Sequence, residues 1–266
     1  MRLDDVERNY RVMLCDIWGC IHDGVQLYPG AESRLRRWRD EGLTIILITN
    51  APRTAQAVAA QLQGLGLDPA LWDGIATSGD AGIDRLKSCA KPVGFIGTRG
   101  DRAILEGRGV RIAANDDFAD LACAGLDEAR RRVADYRPQI EPFAGRDVLM
   151  HCLNPDRLVI RGGVPEPCAG AIADLYLELG GRVEYYGKPF PAIYRHAMRL
   201  AGDPAPSDVL AIGDGLNTDM LGAARMGFDC VYVTGGIAQG AAIPADFASS
   251  NGIGGWRPVA VVDGLA

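Results

Sequence analysis

The sequence predicts an α/β fold: a doubly wound parallel sheet into which a smaller α/β domain is inserted. Three observations carry this expectation. Short apolar runs without polar alternation recur between helical patterns, as in strands buried on both faces. These runs gather towards the two ends of the 266-residue chain. The stretch between them, roughly residues 77–183, differs in pattern and is long enough to be a domain of its own.

Arg11-Val12-Met13-Leu14-Cys15 reads as a buried strand ending at Asp16. Residues 30–41 read as a helix with Leu35 and Trp38 on one face, and Gly42 stops it. Leu43-Thr44-Ile45-Ile46-Leu47-Ile48 is the next buried strand, and the Ala- and Gln-rich residues 53–63 the next helix. In the middle, strands are expected at Val93–Ile96, Val110–Ala113, Val148–Cys152 and Leu158–Ile160, with helices over 80–88, 117–135 and 167–179. The first pattern then resumes. Val183–Tyr186 is read as a strand, 190–201 as a helix, Val209–Ile212 as a strand, 217–226 as a helix and Cys230–Val233 as a strand. Residues 236–258, rich in Gly, Ala and Pro, read as loop with a short helix. The expected division is therefore core 1–76, insert 77–183 and core again 184–266.

The formal net charge is −6, with 48% hydrophobic and 23% charged residues, which excludes wholesale disorder. A net negative chain without a Lys/Arg run has no footprint for nucleic acid or an anionic membrane surface. No apolar stretch approaches the roughly 18 residues of a membrane span. Met1-Arg2-Leu3-Asp4-Asp5-Val6-Glu7 is too acidic for a signal peptide, so a cytoplasmic protein is expected. The seven cysteines, Cys15, Cys20, Cys89, Cys123, Cys152, Cys168 and Cys230, form no C-x-x-C pair and are odd in number. They predict neither a disulfide framework nor a zinc site, and read as small buried hydrophobes. Three histidines argue against a His-rich metal site.

Chemistry is expected at the carboxyl ends of the strands, where open parallel sheets bind ligands. Asp16 ends the first strand. Gly213-Asp214-Gly215-Leu216-Asn217-Thr218-Asp219 follows Val209–Ile212 and brings a second acid to an equivalent tip, with Asp219 placed to cap the next helix. Two carboxylates on adjacent tips repel unless a cation lies between them, and oxygen ligands suit Mg²⁺. Thr49-Asn50 offers a hydroxyl and a backbone N–H to a phosphate oxygen. Gly187-Lys188-Pro189 brings an ammonium to the same edge.

The order acid, Thr, Lys, acid-with-acid, each after an apolar strand, resembles the haloacid dehalogenase superfamily. The insert between Thr49-Asn50 and Lys188 further resembles its subclass IIA, the NagD-type sugar and nucleotide phosphatases with an α/β cap. Asp16-Ile17-Trp18-Gly19-Cys20-Ile21-His22-Asp23-Gly24, Ile48-Thr49-Asn50-Ala51, Gly187-Lys188-Pro189 and Gly213–Asp219 look like the four motifs, and Asn154-Pro155-Asp156 matches a tripeptide of that cap. The resemblance implies a Rossmann-like core and a small phosphorylated metabolite as substrate. It further implies Asp16 as nucleophile, Thr49, Asn50 and Lys188 as phosphate-binding groups, and Mg²⁺ held by Asp16, Asp214 and the Trp18 carbonyl. Asn217 and Asp219 are supporting residues. A cap of this kind could also form a homodimer interface. Phosphatases of the superfamily carry a second Asp, the general acid and base, two places after the nucleophile. Here that place is Trp18, whose indole exchanges no proton at neutral pH. His22 or Asp23 could substitute, although His-Asp-Gly also reads as a turn. Arg53 lies close enough to touch substrate. Trp72, Tyr136, Tyr185 and Tyr186 are aromatic candidates that core packing would equally explain. The alternatives are a weak or inactive protein that binds Mg²⁺ and phosphate, and a dehalogenase-like hydrolase.

Overall fold

The computed structural model describes residues 3–6, 10–161, 164–236 and 242–266. In chain order the first stretch gives β1 (Val12–Asp16), α1 (Ala31–Asp40), β2 (Thr44–Thr49), α2 (Ala55–Gly64) and β3 (Gly74–Thr77). Next come α3 (Ser78–Lys87), β4 (Gly94–Ile96), α4 (Arg99–Gly107), β5 (Asp120–Cys123), α5 (Arg137–Gly145), β6 (Leu149–Cys152), β7 (Leu158–Arg161), β8 (Val164–Pro167), α6 (Ala169–Glu178) and β9 (Arg182–Tyr185). The chain closes with α7 (Pro191–Leu200), β10 (Val209–Gly213), α8 (Leu221–Met226), β11 (Asp229–Val233), α9 (Phe247–Ser250) and β12 (Ala260–Val262).

Two compact units result. The first contains Met1–Thr49, Ala55–Ala76 and Lys188–Ala266; the second contains Asn50–Thr54 and Thr77–Gly187. The first unit is built on a six-stranded sheet of order β12-β11-β10-β1-β2-β3. β1 pairs in parallel with both β10 and β2, and β10 with β11. Every residue of β1 and of β10 is buried, which is why their sequences lack polar alternation. The strand order reverses at β1, so β1 marks the switch point where a crevice opens at the carboxyl ends. Arg34 of α1 ties the unit's ends together, donating to the Leu265 carbonyl at 2.8 Å and to Asp4 at 2.6 Å.

The second unit has its own parallel sheet, β4-β5-β6-β9, and a β7–β8 hairpin. Its core joins Leu121, Tyr136, Ile140, Phe143, Met150, Ile172 and Tyr176. Tyr176 donates its hydroxyl to the Val148 carbonyl at 2.7 Å, which satisfies a polar group inside that core.

Several elements differ from expectation. The strand expected at Val183–Tyr186 is β9, and it pairs with β6 in the second sheet; the first unit resumes at Lys188, not at 184. The helix expected over 117–135 is absent: Asp120–Cys123 forms β5, and Pro138 sits in the first turn of α5. Val110–Ala113 contributes only a bridge between Ile112 and Val93. The helix expected over 217–226 opens with a π-helical turn, Leu216–Met220, before α8. β3 and β12 extend the first sheet where no strand was expected. Of the loop expected over 236–258, residues 237–241 lie outside the described residues, and the remainder holds α9.

Candidate active site

The register of the first sheet assembles the site. Asp16 pairs with Ile48 and Cys15 with Ile212, so Thr49 and Asp214 emerge just beyond Asp16 at the same edge. Asp16, Asp214, Asp219 and Lys188 are each no more than 6% exposed. Buried charges persist only when paired, and here the pairing is shared. Lys188 Nζ donates to Asp16 Oδ1 and, at 2.8 Å, to Asp219 Oδ1. The second oxygen of Asp219 accepts from the Thr218 hydroxyl at 3.0 Å and from the Gly215 N–H at 3.3 Å. Asp219 lies inside the π-helical turn that Gly215 opens, so it anchors Lys188 instead of serving as the helix cap expected of it.

The Asp16 and Asp214 carboxylates and Cys20 Sγ each offer an atom within 4.8 Å of the others. Asp214 is wedged between two glycines. A Cβ on Gly19 would lie 2.1 Å from Asp214 Oδ2, and one on Gly236 2.2 Å from the same oxygen. Gly19 also has φ +97°, a conformation that favours glycine. These positions need hydrogen so that the carboxylate can reach its place.

Three carboxylates thus face one ammonium. Burial, reinforced by Asp219 and Asp214, pushes the Asp16 carboxyl well above its ordinary range despite the opposing pull of Lys188. Burial alone would favour neutral Lys188, but Asp16 and Asp219 outweigh it and hold the ammonium protonated. Burial also pushes the Cys20 thiol well up, so it stays neutral and a poor ligand. What remains is three carboxyl groups against one ammonium, a set of hard oxygen donors that fits a small divalent cation, whose charge would favour ionised Asp16.

Trp18 contributes no acid. Its indole packs edge-to-face on His22 at 5.1 Å between ring centroids, and a Cβ on Gly24 would lie 2.4 Å from its ring. Of the two expected substitutes, Asp23 accepts the Val25 and Gln26 N–H groups at 2.8 and 2.9 Å. Those bonds lower its pKa, so Asp23 is a turn-forming carboxylate. His22 Nδ1 accepts the Gly24 N–H at 2.8 Å, which leaves any proton of the neutral ring on Nε2.

Thr49 is buried at the end of β2. Asn50 belongs to the second unit, where its side chain donates to Asp156 at 2.8 Å. That bond ties the Asn154-Pro155-Asp156 tripeptide to the residue after Thr49. Asn217 is exposed on the π-helical turn, and among the described residues no hydrogen bond joins it to the acids. Sequence reasoning missed Cys20 and Gly236 as neighbours of Asp214. Cys20 had a signal, lying four places after Asp16 in one motif, whereas Gly236 looked like any loop glycine.

Known proteins resemble this chain over most of its length. Residues 13–111 match a family described as haloacid dehalogenase-like hydrolase, and residues 185–266 one described as HAD-hydrolase-like. A solved hydrolase of the haloacid dehalogenase-like family from Brucella suis 1330 is 34% identical, with a TM-score of 0.87 over 100% of this chain and 99% of that one. The ribonucleotide monophosphatase NagD of Escherichia coli K12 is 29% identical over 239 residues, 85% of this chain and 88% of that protein. The acid sugar phosphatase of Staphylococcus epidermidis is 26% identical over 236 residues, 87% and 89% of the two chains.

Proposed function

The chain belongs to the haloacid dehalogenase-like hydrolase family, and we propose that it hydrolyses a small phosphorylated metabolite by way of an aspartyl-phosphate on Asp16. The observation that carries this reading is the buried contact of Asp16 with Lys188, beside Asp214, at the tips of β1 and β10. The phosphatase names of NagD and the acid sugar phosphatase support the same reaction class.

In this reading an Asp16 oxygen attacks phosphorus, the P–O bond to the leaving group breaks, and the phosphoryl group rests on Asp16. Water then attacks the phosphoryl group, freeing phosphate and restoring the carboxylate. Lys188, fixed by Asp219, keeps its positive charge against the equatorial oxygens throughout, and the Thr49 hydroxyl with the Asn50 N–H holds the oxygens on the other side. Mg²⁺, held by Asp16, Asp214 and the Trp18 carbonyl, would neutralise further oxygen charge. With Trp18 in the acid position the leaving oxygen departs without a proton. General acid–base catalysis is typically worth about 10²–10⁴-fold, or roughly 3–5.5 kcal/mol. Esters with good leaving groups lose least.

The seven cysteines form no disulfide with one another, which supports placing this activity in the reducing cytoplasm. Among the described residues no helix is long and apolar enough to cross a membrane. The reading is tested by screening phosphate esters with Mg²⁺ present, against an Asp16→Asn control. Trp18 favours one second reading: a protein that keeps Mg²⁺ and phosphate but turns over slowly or not at all. Calorimetry showing Mg²⁺-dependent phosphate-ester binding without product would select it.

A further inference from the structure

A second cluster of ligating side chains lies wholly within the second unit. Asp120 is the first residue of β5, and Ala122, two places on, pairs with His151 of β6, which pairs in turn with Glu184 of β9. Side chains two apart share a face of a strand, so Asp120, His151 and Glu184 point to one side of the sheet. Cys89 arrives there from the turn after α3. Cys89, Asp120 and His151 each offer an atom within 4.8 Å of the others, and His151 has no exposed surface. The spacing of these residues along the chain carries no motif; the parallel sheet aligns Asp120 with His151, and the turn after α3 adds Cys89.

We propose that Cys89, Asp120 and His151 form a binding site for a zinc-like divalent metal, distinct from the carboxylate centre around Asp16. The mixed sulfur, nitrogen and oxygen donors suit a borderline ion such as Zn²⁺, and three protein ligands leave a fourth position for water. The hydrogen bonds around His151 supply what a ligating histidine needs beyond the metal. Its Nε2 faces Asp120 Oδ1 at 2.8 Å; its Nδ1 faces the Tyr186 hydroxyl at 2.8 Å and Glu184 Oε2 at 3.6 Å. A carboxylate accepts only, so the neutral ring carries its proton on Nε2 and Nδ1 accepts from Tyr186.

Burial and Asp120 push the Cys89 thiol up, as burial does Cys20, but Arg85 beside it draws it partly back down. On metal binding the thiol releases its proton to solvent, and the His151 proton moves from Nε2 to Nδ1. There it donates to the Tyr186 hydroxyl at 2.8 Å, which turns its own proton to Glu184. A carboxylate behind a ligating histidine fixes the tautomer and raises ligand basicity. Without metal, the cationic position is taken by Arg85, which donates to Cys89 Sγ at 3.1 Å and to Asp120 Oδ1 at 3.3 Å. The Arg85 side chain is 39% exposed, so it can swing into water when a metal competes.

The test is a Co²⁺ titration of the purified full chain, followed by absorption. The expected result is a thiolate-to-cobalt band in the near ultraviolet, with the visible bands of a four-coordinate ion, reversed by added Zn²⁺. The band is lost in Cys89→Ser and kept in Cys20→Ser, which separates this cluster from the centre around Asp16. Arg85→Ala, a change at a partly exposed side chain, tightens Co²⁺ binding at least tenfold by removing the competing cation. A titration without a thiolate band, a band that survives Cys89→Ser, a band lost in Cys20→Ser, or an Arg85→Ala variant that binds no tighter would overturn the proposal.

Discussion

Lys188 and Asp16, 172 residues apart along the chain, form a buried ion pair whose ammonium also binds Asp219. Lys188→Met would leave two buried carboxylates facing each other without a cation. Breaking a buried pair costs about 3–5 kcal/mol, and removing a charge that stabilises a transition state costs about 10²–10³-fold in kcat. The variant is expected to melt at a lower temperature and to regain part of the loss with added Mg²⁺. Calorimetric melting with and without the ion reads both effects; an unchanged melting temperature would contradict the pairing.

Trp18→Asp restores a carboxyl group at the position where phosphatases of the family carry their acid. The expected outcome is a gain of about 10²-fold or more in kcat on alkyl phosphates, whose leaving groups need the proton. The gain on p-nitrophenyl phosphate is expected to be much smaller, since that leaving group departs as an anion. Equal gains on both ester classes would mean that Trp18 limits the reaction through something other than proton transfer.

Gly236→Ala tests the wedge around Asp214 alone. Its Cβ would lie 2.2 Å from Asp214 Oδ2 and 2.6 Å from the Gly19 carbonyl, so Asp214 must shift. The Mg²⁺ concentration for half-maximal activity is expected to rise tenfold or more, with saturating activity changed far less. Metal dependence matching the wild type would show that Asp214 does not set the affinity.

Much of the first unit is legible in the sequence because its strands are buried on both faces. Val12–Asp16, Thr44–Thr49 and Val209–Gly213 read as apolar runs, the first two ending in a residue of the site and the third one place before Asp214. Less legible is which sheet a strand joins. Arg182–Tyr185 is a visible strand, but parallel pairing with β6 is a long-range choice that periodicity does not encode. Asp120–Cys123 was hidden by its Ala-containing, helix-compatible composition, although it is a central strand of its sheet. In the site, the carboxylates follow from strand ends of the first sheet, whereas the strand before Lys188 belongs to the second sheet and does not itself place the ammonium. The approach of Cys20 and Gly236 to Asp214 depends on loop paths, and so does the turn that engages Asp23.

The second unit offers a stability test independent of catalysis. Asp127 accepts from the Arg130 side chain at 2.5 and 2.8 Å and from the Ala129 and Arg130 N–H groups, and Arg130 lies 3.9 Å above the Tyr136 ring. Burial acts against the charge, but the bonds to Arg130 and to the backbone outweigh it and lower the pKa below 3.8. A lowered carboxyl pKa contributes stability above the unfolded value, and that contribution is lost as pH falls through the folded one. Asp127→Asn is expected to cost about 1 kcal/mol at pH 7, with the difference from wild type smaller at an acid pH where the carboxyl protonates. Urea denaturation at both pH values checks it; a pH-independent difference would contradict the ionic origin.

The most direct test is the steady-state hydrolysis of p-nitrophenyl phosphate with Mg²⁺, comparing wild type with Asp16→Asn. The asparagine keeps an oxygen for Lys188 but cannot attack phosphorus. The proposal predicts measurable phosphate release by the wild type, lost in Asp16→Asn while its melting transition remains cooperative. Turnover that persists in a folded Asp16→Asn protein would contradict an aspartyl-phosphate at this position.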